Sequence, residues 1–223
     1  MTLKWSIGLM TGTVNDGFID IAALRTDGKN VVEFGPYELF SYKDQSIKHL
    51  IFKTYEEAKK WNFEGVEPEI FSLTEKKITE EQSSAVEEFI KKYKIKKKDI
   101  SCVGFHGLTV LHRPVDSNNT NGKTRQLGNG QMMSDYLQLP VVNNFRSNDI
   151  EHGGQGAPLA PIYHLALANF IKEKDIAFLN IGGVSNITFV GNNDDLIALD
   201  CGPGNAPIND FVRYHNKGLM DRD

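Results

Sequence analysis

The sequence predicts an α/β protein made of two related domains. Three observations carry that reading. Apolar runs of strand length alternate with longer stretches in helical spacing, the order expected of sheets flanked by helices. The chain opens on an apolar run, a Gly-containing turn and a second apolar run, and the same arrangement returns after residue 175. With 40% hydrophobic and 24% charged residues among 223, there is material for a sizeable core, which excludes wholesale disorder.

Taken in order, residues 5–10 and 18–24 are short apolar runs separated by a Gly/Thr/Asn/Asp turn at 11–17, which reads as strand, turn, strand. Residues 31–42, rich in Val, Phe and Tyr, predict a third strand, and 44–61 a helix. Ile78, Ala85, Val86, Phe89, Ile90 and Tyr93 recur at helical spacing, and Thr79 ahead of Glu80, Glu81 and Gln82 suits a helix start. The basic run closing this helix, 91–98, reads as a solvated end whose lysines offset the negative end of the dipole. Residues 100–105 predict a strand running into His106-Gly107, and 114–123 is the most polar loop. Residues 124–127, a helix from about Gln131 and residues 140–145 make a strand–helix–strand unit. A Gly-rich loop, 153–156, is expected to open a helix over 157–171 with Pro158 in its first turn. Residues 176–181, 184–190 and 196–199 predict three more strands, and 206–215 a last helix. The expected domains are 1–172 and 173–223, with a hinge at 172–175. The second has too few residues to close its own core, as expected of a truncated product or a fragment.

Composition narrows the function classes. Lys and Arg number 25 against 29 Asp and Glu, a formal charge of −4. General nucleic-acid binding, which rests on neutralising phosphates, is therefore not expected. The two cysteines, Cys102 and Cys201, are far apart with no Cys-x-x-Cys, which disfavours a disulfide scaffold and a thiolate zinc site. The N-terminal apolar stretch is too short for a signal-peptide core, and no run approaches the ~18 apolar residues of a membrane span. The expectation is a cytoplasmic protein with no membrane partner.

Four motifs carry chemistry. In Gly12-Thr13-Val14-Asn15-Asp16-Gly17, small residues let backbone N–H groups converge on an anion, and Asp16 and Asp20 can hold a metal–nucleotide complex. The plainer reading is an ordinary hairpin turn. No Gly-x4-Gly-Lys-Ser/Thr occurs, so a P-loop is excluded. The second motif, from Asn180 through Gly182-Gly183 to Asn186, repeats the strand–glycine–strand arrangement, and Asp200-Cys201-Gly202-Pro203-Gly204-Asn205 follows it. Two such hairpins, one opening each half, suit a grip on phosphates. The third and densest places Arg146 and Asp149 just ahead of Gly153-Gly154-Gln155-Gly156-Ala157-Pro158. A carboxylate in a loop after a strand suits acid–base work, and an arginine suits a carboxylate or phosphate; the alternative for Asp149 is a turn or cap. The fourth, Gly104-Phe105-His106-Gly107 with His112 beyond, sets His106 at a strand end, facing a cleft. A metal pair from His106 and His112 lacks a nearby acidic ligand, and a polar contact is the favoured reading.

In this order these stretches resemble the anhydro-N-acetylmuramic acid kinase family. The matching segments are GLMTGTVNDG, GFHGLTVLHRP, QLGNGQ, PVVNNFRSNDIEHGGQGAPLAP, LNIGGVSNITFV and LDCGPGNAPIND, spread from residue 7 to the end. The resemblance implies an actin/hexokinase-like (ribonuclease H-like) ATPase fold, with two domains around an ATP cleft. It implies a kinase of peptidoglycan recycling that opens 1,6-anhydro-N-acetylmuramic acid with water and phosphorylates O6, using ATP and Mg²⁺. Asp149 is then the general base. Gly12, Thr13, Val14, Asn15, Asp16, Gly17, Phe18 and Ile19 form the first ATP-phosphate segment. Gly182, Gly183, Asn186, Asp200, Gly202 and Gly204 form the second. His106, Arg146, Gly153, Gly154, Gly156, Ala157 and Pro158 shape the sugar site. The implied partners are the amino sugar and ATP, with room for a homodimer; no metal ligand is assigned.

The sequence departs from the family pattern at Val14, where a serine is usual, at Asn129 and Asn144, where aspartate is common, and at Cys201, where threonine is usual. Two other readings compete. Another sugar kinase of the same superfamily would share the glycine hairpins but has no need of the whole 149–159 element. A non-catalytic fragment or interaction module would keep the sugar-facing half alone.

Overall fold

The computed structural model describes residues 3–11, 17–115, 121–193 and 195–215. Its internal contacts divide the chain into two compact units, Met1–Gly156 and Ala157–Asp223. Each is an α/β unit.

The first unit runs β1 (Lys4–Met10), β2 (Phe18–Thr26), β3 (Val31–Ser41), α1 (Ile47–Trp61), α2 (Glu69–Lys92), β4 (Ile100–Phe105), β5 (Leu108–Arg113), β6 (Lys123–Leu127), α3 (Gly130–Leu137), β7 (Val141–Asn143) and α4 (Ser147–Glu151). The opening apolar runs become a mixed sheet in the order β3-β2-β1-β4-β7, with β1 antiparallel to β2 and parallel to β4. Alternate side chains of a strand face opposite sides. Ile7 and Leu9, Ile19 and Ile21, and Val103 and Phe105 accordingly turn to one face, where they join Ile47 and Ile51 of α1, Phe71, Val86 and Phe89 of α2 and Met133 and Leu137 of α3 in one core. Burying each such side chain contributes about 1.5–3 kcal/mol. The separate β5–β6 ribbon carries His112 and Gln126.

In this unit two helix starts and one strand differ from the sequence reading. Helix α1 starts at Ile47, after Asp44 has turned the chain by accepting the Ser46 N–H and hydroxyl. Helix α2 starts at Glu69 behind Pro68, well before Ile78, and its lysine-rich end is solvated and paired in part, with Lys91 on Glu87 and Lys92 on Glu38. Strand β5 was not anticipated.

The second unit runs α5 (Pro161–Ile171), β8 (Ile176–Ile181), β9 (Val184–Val190), β10 (Leu196–Pro203) and α6 (Ala206–Tyr214). Its strands form an antiparallel meander, β10-β9-β8. Helix α5 lies on one face, where the His164 ring stacks on Phe178 at 4.9 Å and its Nδ1 bonds the buried Thr188 hydroxyl at 2.8 Å. The helix expected from 157 begins instead at Pro161. Had it begun at Ala157, Pro161 would owe an N–H to the Ala157 carbonyl four residues back, and proline has none. As first residue it owes nothing.

Candidate active site

The Asp149 loop is assembled by main-chain chemistry. Helix α4 ends after one turn in a Schellman motif: Gly153 takes φ +83°, its N–H bonds the Ile150 carbonyl at 3.0 Å, and the Gly154 N–H bonds the Asp149 carbonyl at 2.8 Å. The chain then doubles back, so that the buried Gly156 donates its N–H to Oδ2 of Asp149 at 2.7 Å. Asp149 is thus a helical residue, where the sequence placed it in a loop. Its side chain is exposed, and no hydrogen bond among the described residues engages Oδ1. One carboxylate oxygen is oriented by the protein and the other has no hydrogen-bond partner among the described residues, an arrangement able to take a proton from a bound water. Ala157 and Pro158 follow as irregular, half-buried chain at the start of the second unit.

Behind this loop lies a polar network. Arg146, just ahead of α4, donates from Nη1 to the Gly156 carbonyl at 2.6 Å and from Nη2 to Nε2 of His106 at 3.1 Å. The other ring nitrogen, Nδ1, bonds the Gly107 carbonyl at 2.9 Å, which also accepts from the Thr11 hydroxyl at 3.1 Å. His106 is buried, not cleft-facing as the sequence suggested, because both ring nitrogens are engaged by protein. Burial pushes its basicity below the ordinary histidine value, opposed by the bond to Gly107 and reinforced by the Arg146 charge. His112 bonds Thr124 instead of joining His106.

Two residues of this network escaped sequence reasoning. Gln126 donates to the His106 carbonyl at 3.1 Å and accepts the Arg146 N–H at 3.3 Å, a second tie between the two. It opens the QLGNGQ segment, which was the available signal. Thr11, read only as a turn residue, ends β1 against Gly107. Asn129, where aspartate is common, caps α3 with its side-chain oxygen on the Met132 N–H at 2.9 Å.

The first glycine turn is described only in part. Gly12, Thr13, Val14, Asn15 and Asp16 lie outside the described residues. Gly17 takes φ +90°, and a Cβ there would stand 1.8 Å from the Lys48 side chain, so α1 brings a lysine against the turn. Phe18 is exposed, whereas Ile19 points into the core and offers a ligand main chain only. Asp20 is exposed on β2, opposite Met10 and Leu39.

The second turn is described throughout. Gly182-Gly183 joins β8 to β9, and the end of β10 folds onto it: Gly204 donates to the Gly183 carbonyl at 3.0 Å and Asn205 to the Gly182 carbonyl at 2.7 Å. A bulge between Asp200 and Gly202, with Gly202 at φ +142°, bends the strand toward the turn. Asn186 pairs with both Asn180 and Asp200 across the sheet. The structure thus brings Gly182, Gly183, Asn186, Asp200, Gly202 and Gly204 together in one unit, and Asp149, His106, Arg146, Gly153, Gly154 and Gly156 in the other. Among the described residues no group of three acidic, His or Cys side chains is arranged to hold a metal ion, and no helix is long and apolar enough to cross a membrane.

Comparison with known proteins follows the same segments. The sequence profile of the anhydro-N-acetylmuramic acid kinase family matches residues 4–223. A protein named anhydro-N-acetylmuramic acid kinase from Rhizobium rhizogenes is 49% identical over 220 residues, covering 98% of this chain and 59% of that protein. One of the same name from Brucella anthropi is 50% identical over 220 residues with the same coverage. A relative named anhydro-N-acetylmuramic acid kinase 2, from Jannaschia sp., is 49% identical over 222 residues, covering 99% of this chain and 58% of the relative. The chain spans about three-fifths of the length of the curated relatives it matches.

Proposed function

Because this chain belongs to the anhydro-N-acetylmuramic acid kinase family, we propose that it carries the acid–base and sugar-handling part of a kinase that opens 1,6-anhydro-N-acetylmuramic acid and phosphorylates O6. Asp149 is the general base. It takes a proton from water, the water oxygen attacks the anomeric carbon, and the bond from that carbon to O6 breaks. O6, left with the electron pair, attacks the γ-phosphorus of ATP, and the bond to ADP breaks. The products are N-acetylmuramic acid 6-phosphate and ADP. One deprotonation drives both steps, because breaking the ring bond creates the second nucleophile.

The observation that carries this reading is the exposed Asp149, its carboxylate held through Oδ2 by the Gly156 N–H with no described partner on Oδ1. The Gly153, Gly154, Gly156, Ala157 and Pro158 segment borders the sugar, with His106 and Arg146 behind it. Each glycine hairpin serves phosphate. The fit of ATP to the second is supported by its bare backbone, since Gly202 has open space where a Cβ would stand. Gly12 to Ile19 supply the other phosphate segment through their main chain. Mg²⁺ takes hard oxygen donors, one or two carboxylates besides phosphate and water. Asp20 is of that type, and the ion would neutralise charge on the transferred phosphoryl group. The fold is proposed to be the actin/hexokinase-like one, with residues 1–172 and 173–223 belonging to its first and second domains. The setting is proposed to be cytoplasmic recycling of cell-wall sugar.

The test is ADP release dependent on the anhydro sugar, with the phosphorylated product identified by mass spectrometry, for the chain and its Asp149→Asn variant. Loss of a general base costs about 10²–10⁴-fold. Full activity in the variant would remove Asp149 from the mechanism. Sugar binding without ADP release would point to the competing reading, a non-catalytic sugar-side module.

A further inference from the structure

We infer that His106 is a positioning residue: as the neutral Nδ1–H tautomer it holds Arg146, Arg146 holds the carbonyl of Gly156, and the N–H of that same glycine fixes the carboxylate of Asp149. The functional weight of this inference rests on Asp149 being the base, but its geometry does not.

The tautomer follows from the partners. The Gly107 carbonyl only accepts, so Nδ1, 2.9 Å away, carries the hydrogen. A guanidinium only donates, so Nε2, 3.1 Å from Nη2 of Arg146, offers its lone pair. An imidazolium would set N–H against N–H and charge against charge. With both ring nitrogens committed, none remains for a sugar hydroxyl.

Gly156 is the point through which the network acts. It sits at φ +66°, where side-chain-bearing residues are rare, and it is clasped at both ends, by Arg146 on its carbonyl at 2.6 Å and by Asp149 on its N–H at 2.7 Å. Releasing Arg146 frees this residue to rotate and turns the Asp149 carboxylate with it. Gln126 ties the main chains of His106 and Arg146 in parallel, so the two side chains meet in a fixed frame. The Gly107 carbonyl, shared with Thr11, anchors His106 to the end of β1, which leads directly into the first glycine turn. His106 thereby links the phosphate-side strand to the acid–base loop.

The test begins with long-range ¹H–¹⁵N spectra of the imidazole in the 223-residue chain. A protonated Nδ1 and an unprotonated Nε2 are expected; an Nε2–H tautomer, or a charged ring at neutral pH, overturns the proposal. The second step compares His106→Gln, whose Oε1 still accepts from Arg146, with His106→Leu, which has no acceptor. The readouts are the Gly156 amide proton shift, which reports its bond to Asp149, and the division of turnover between kcat and KM. In His106→Leu the amide shift collapses and kcat falls about tenfold to a hundredfold with KM little changed, as for a misplaced catalytic group. His106→Gln recovers both. A raised KM with unchanged kcat and an unmoved Gly156 amide would make His106 a sugar contact and overturn the proposal. Should wild-type chain show no turnover, the function proposed above fails, while tautomer and amide shift still decide this inference. If His106→Leu does not fold, the wild-type tautomer and the Gln variant decide it.

Discussion

A methyl group on Gly154 would stand 2.2 Å from Oδ2 of Asp149. The carboxylate occupies the space a side chain would need, so glycine is required here by its neighbour and not by an unusual backbone angle.

Gly154→Ala therefore displaces the Asp149 carboxylate and leaves the fold in place. If Asp149 is the proposed base, a shift of an ångström costs about a hundredfold in rate. The expected result is that loss in kcat, a changed Gly156 amide shift and a nearly unchanged melting temperature. An alanine variant of wild-type activity would mean that Asp149 swings aside without consequence, and that its observed orientation is not the reactive one.

Gly204 is constrained differently, by backbone. A Cβ there would lie 2.0 Å from the Gly182 carbonyl oxygen and 2.8 Å from the Ser185 hydroxyl. That carbonyl is held in place by the Asn205 N–H at 2.7 Å. Gly204→Ala must lift the end of β10 off the Gly182-Gly183 turn, at a cost of about 1–3 kcal/mol typical of overpacking. Urea denaturation measures it. If the turn serves nucleotide, ATP should also protect the variant less than wild type against thermal unfolding.

Much of this was legible because glycine and apolar runs report directly on backbone. The strands from Ile7 through Ile21, and the β8–β9 hairpin around Gly182-Gly183, follow from alternation bounded by turn residues. The first half of α2 was not legible because its inward stripe carries the buried Thr74 between Phe71 and Ile78, and buried Thr79, Gln82 and Ser83 continue such polar interruptions into the part that was read. Each is satisfied locally or by a neighbouring element, Thr79 and Ser83 on carbonyls one turn back and Gln82 on the Tyr42 hydroxyl. A pattern of apolar residues cannot reveal polar ones that pack as if apolar. The Asp149 loop was recognised by its residue types, but its wiring through Gln126 and Thr11 joins positions up to 96 apart in sequence. No local spacing encodes that. Pro158 and Pro161 both suited a first-turn proline, and only the hydrogen-bond requirement at Ala157 separates them.

The histidines give stability a pH dependence with a defined sign. Burial lowers the basicity of His106 in the fold, and of His164 in the second unit. Between the folded values and the ordinary value near 6.5, the unfolded chain binds more protons than the folded one. Their contribution is complete above about 6.5 and is lost as pH falls through the folded values. Asp27 and Asp44 act in a separate, more acid window. The former is held at about 2 chiefly by the Asn30 N–H, the latter at about 2 chiefly by the Ser46 hydroxyl. Their contributions are lost only below about 3.8. Urea midpoints measured from pH 7.5 to pH 5 should fall in wild type and fall less in His106→Gln. A flat profile over that range would mean that neither histidine resists protonation.

The buried pair between α1 and α2 gives the last prediction. Thr54 and Thr74 are fully buried with hydroxyls 2.7 Å apart. Thr54 also donates to the Leu50 carbonyl at 2.8 Å. Its single hydrogen is then used, so Thr74 must be the donor between the two. Thr54→Val leaves the Thr74 hydroxyl facing methyl groups in a dry contact, which costs about 1–3 kcal/mol. Thr74→Val costs less, about 1 kcal/mol, because Thr54 keeps its bond to Leu50 and loses only an incoming one. Replacing both removes the stranded group altogether, and two valines fit the same volume. The double variant should accordingly be more stable than Thr54→Val alone, a non-additivity that a double-mutant cycle on urea unfolding resolves. Strictly additive losses would show that Thr74 finds another acceptor within α2 when Thr54 is gone, and that the helix pair is held by its apolar contacts without help from this bond.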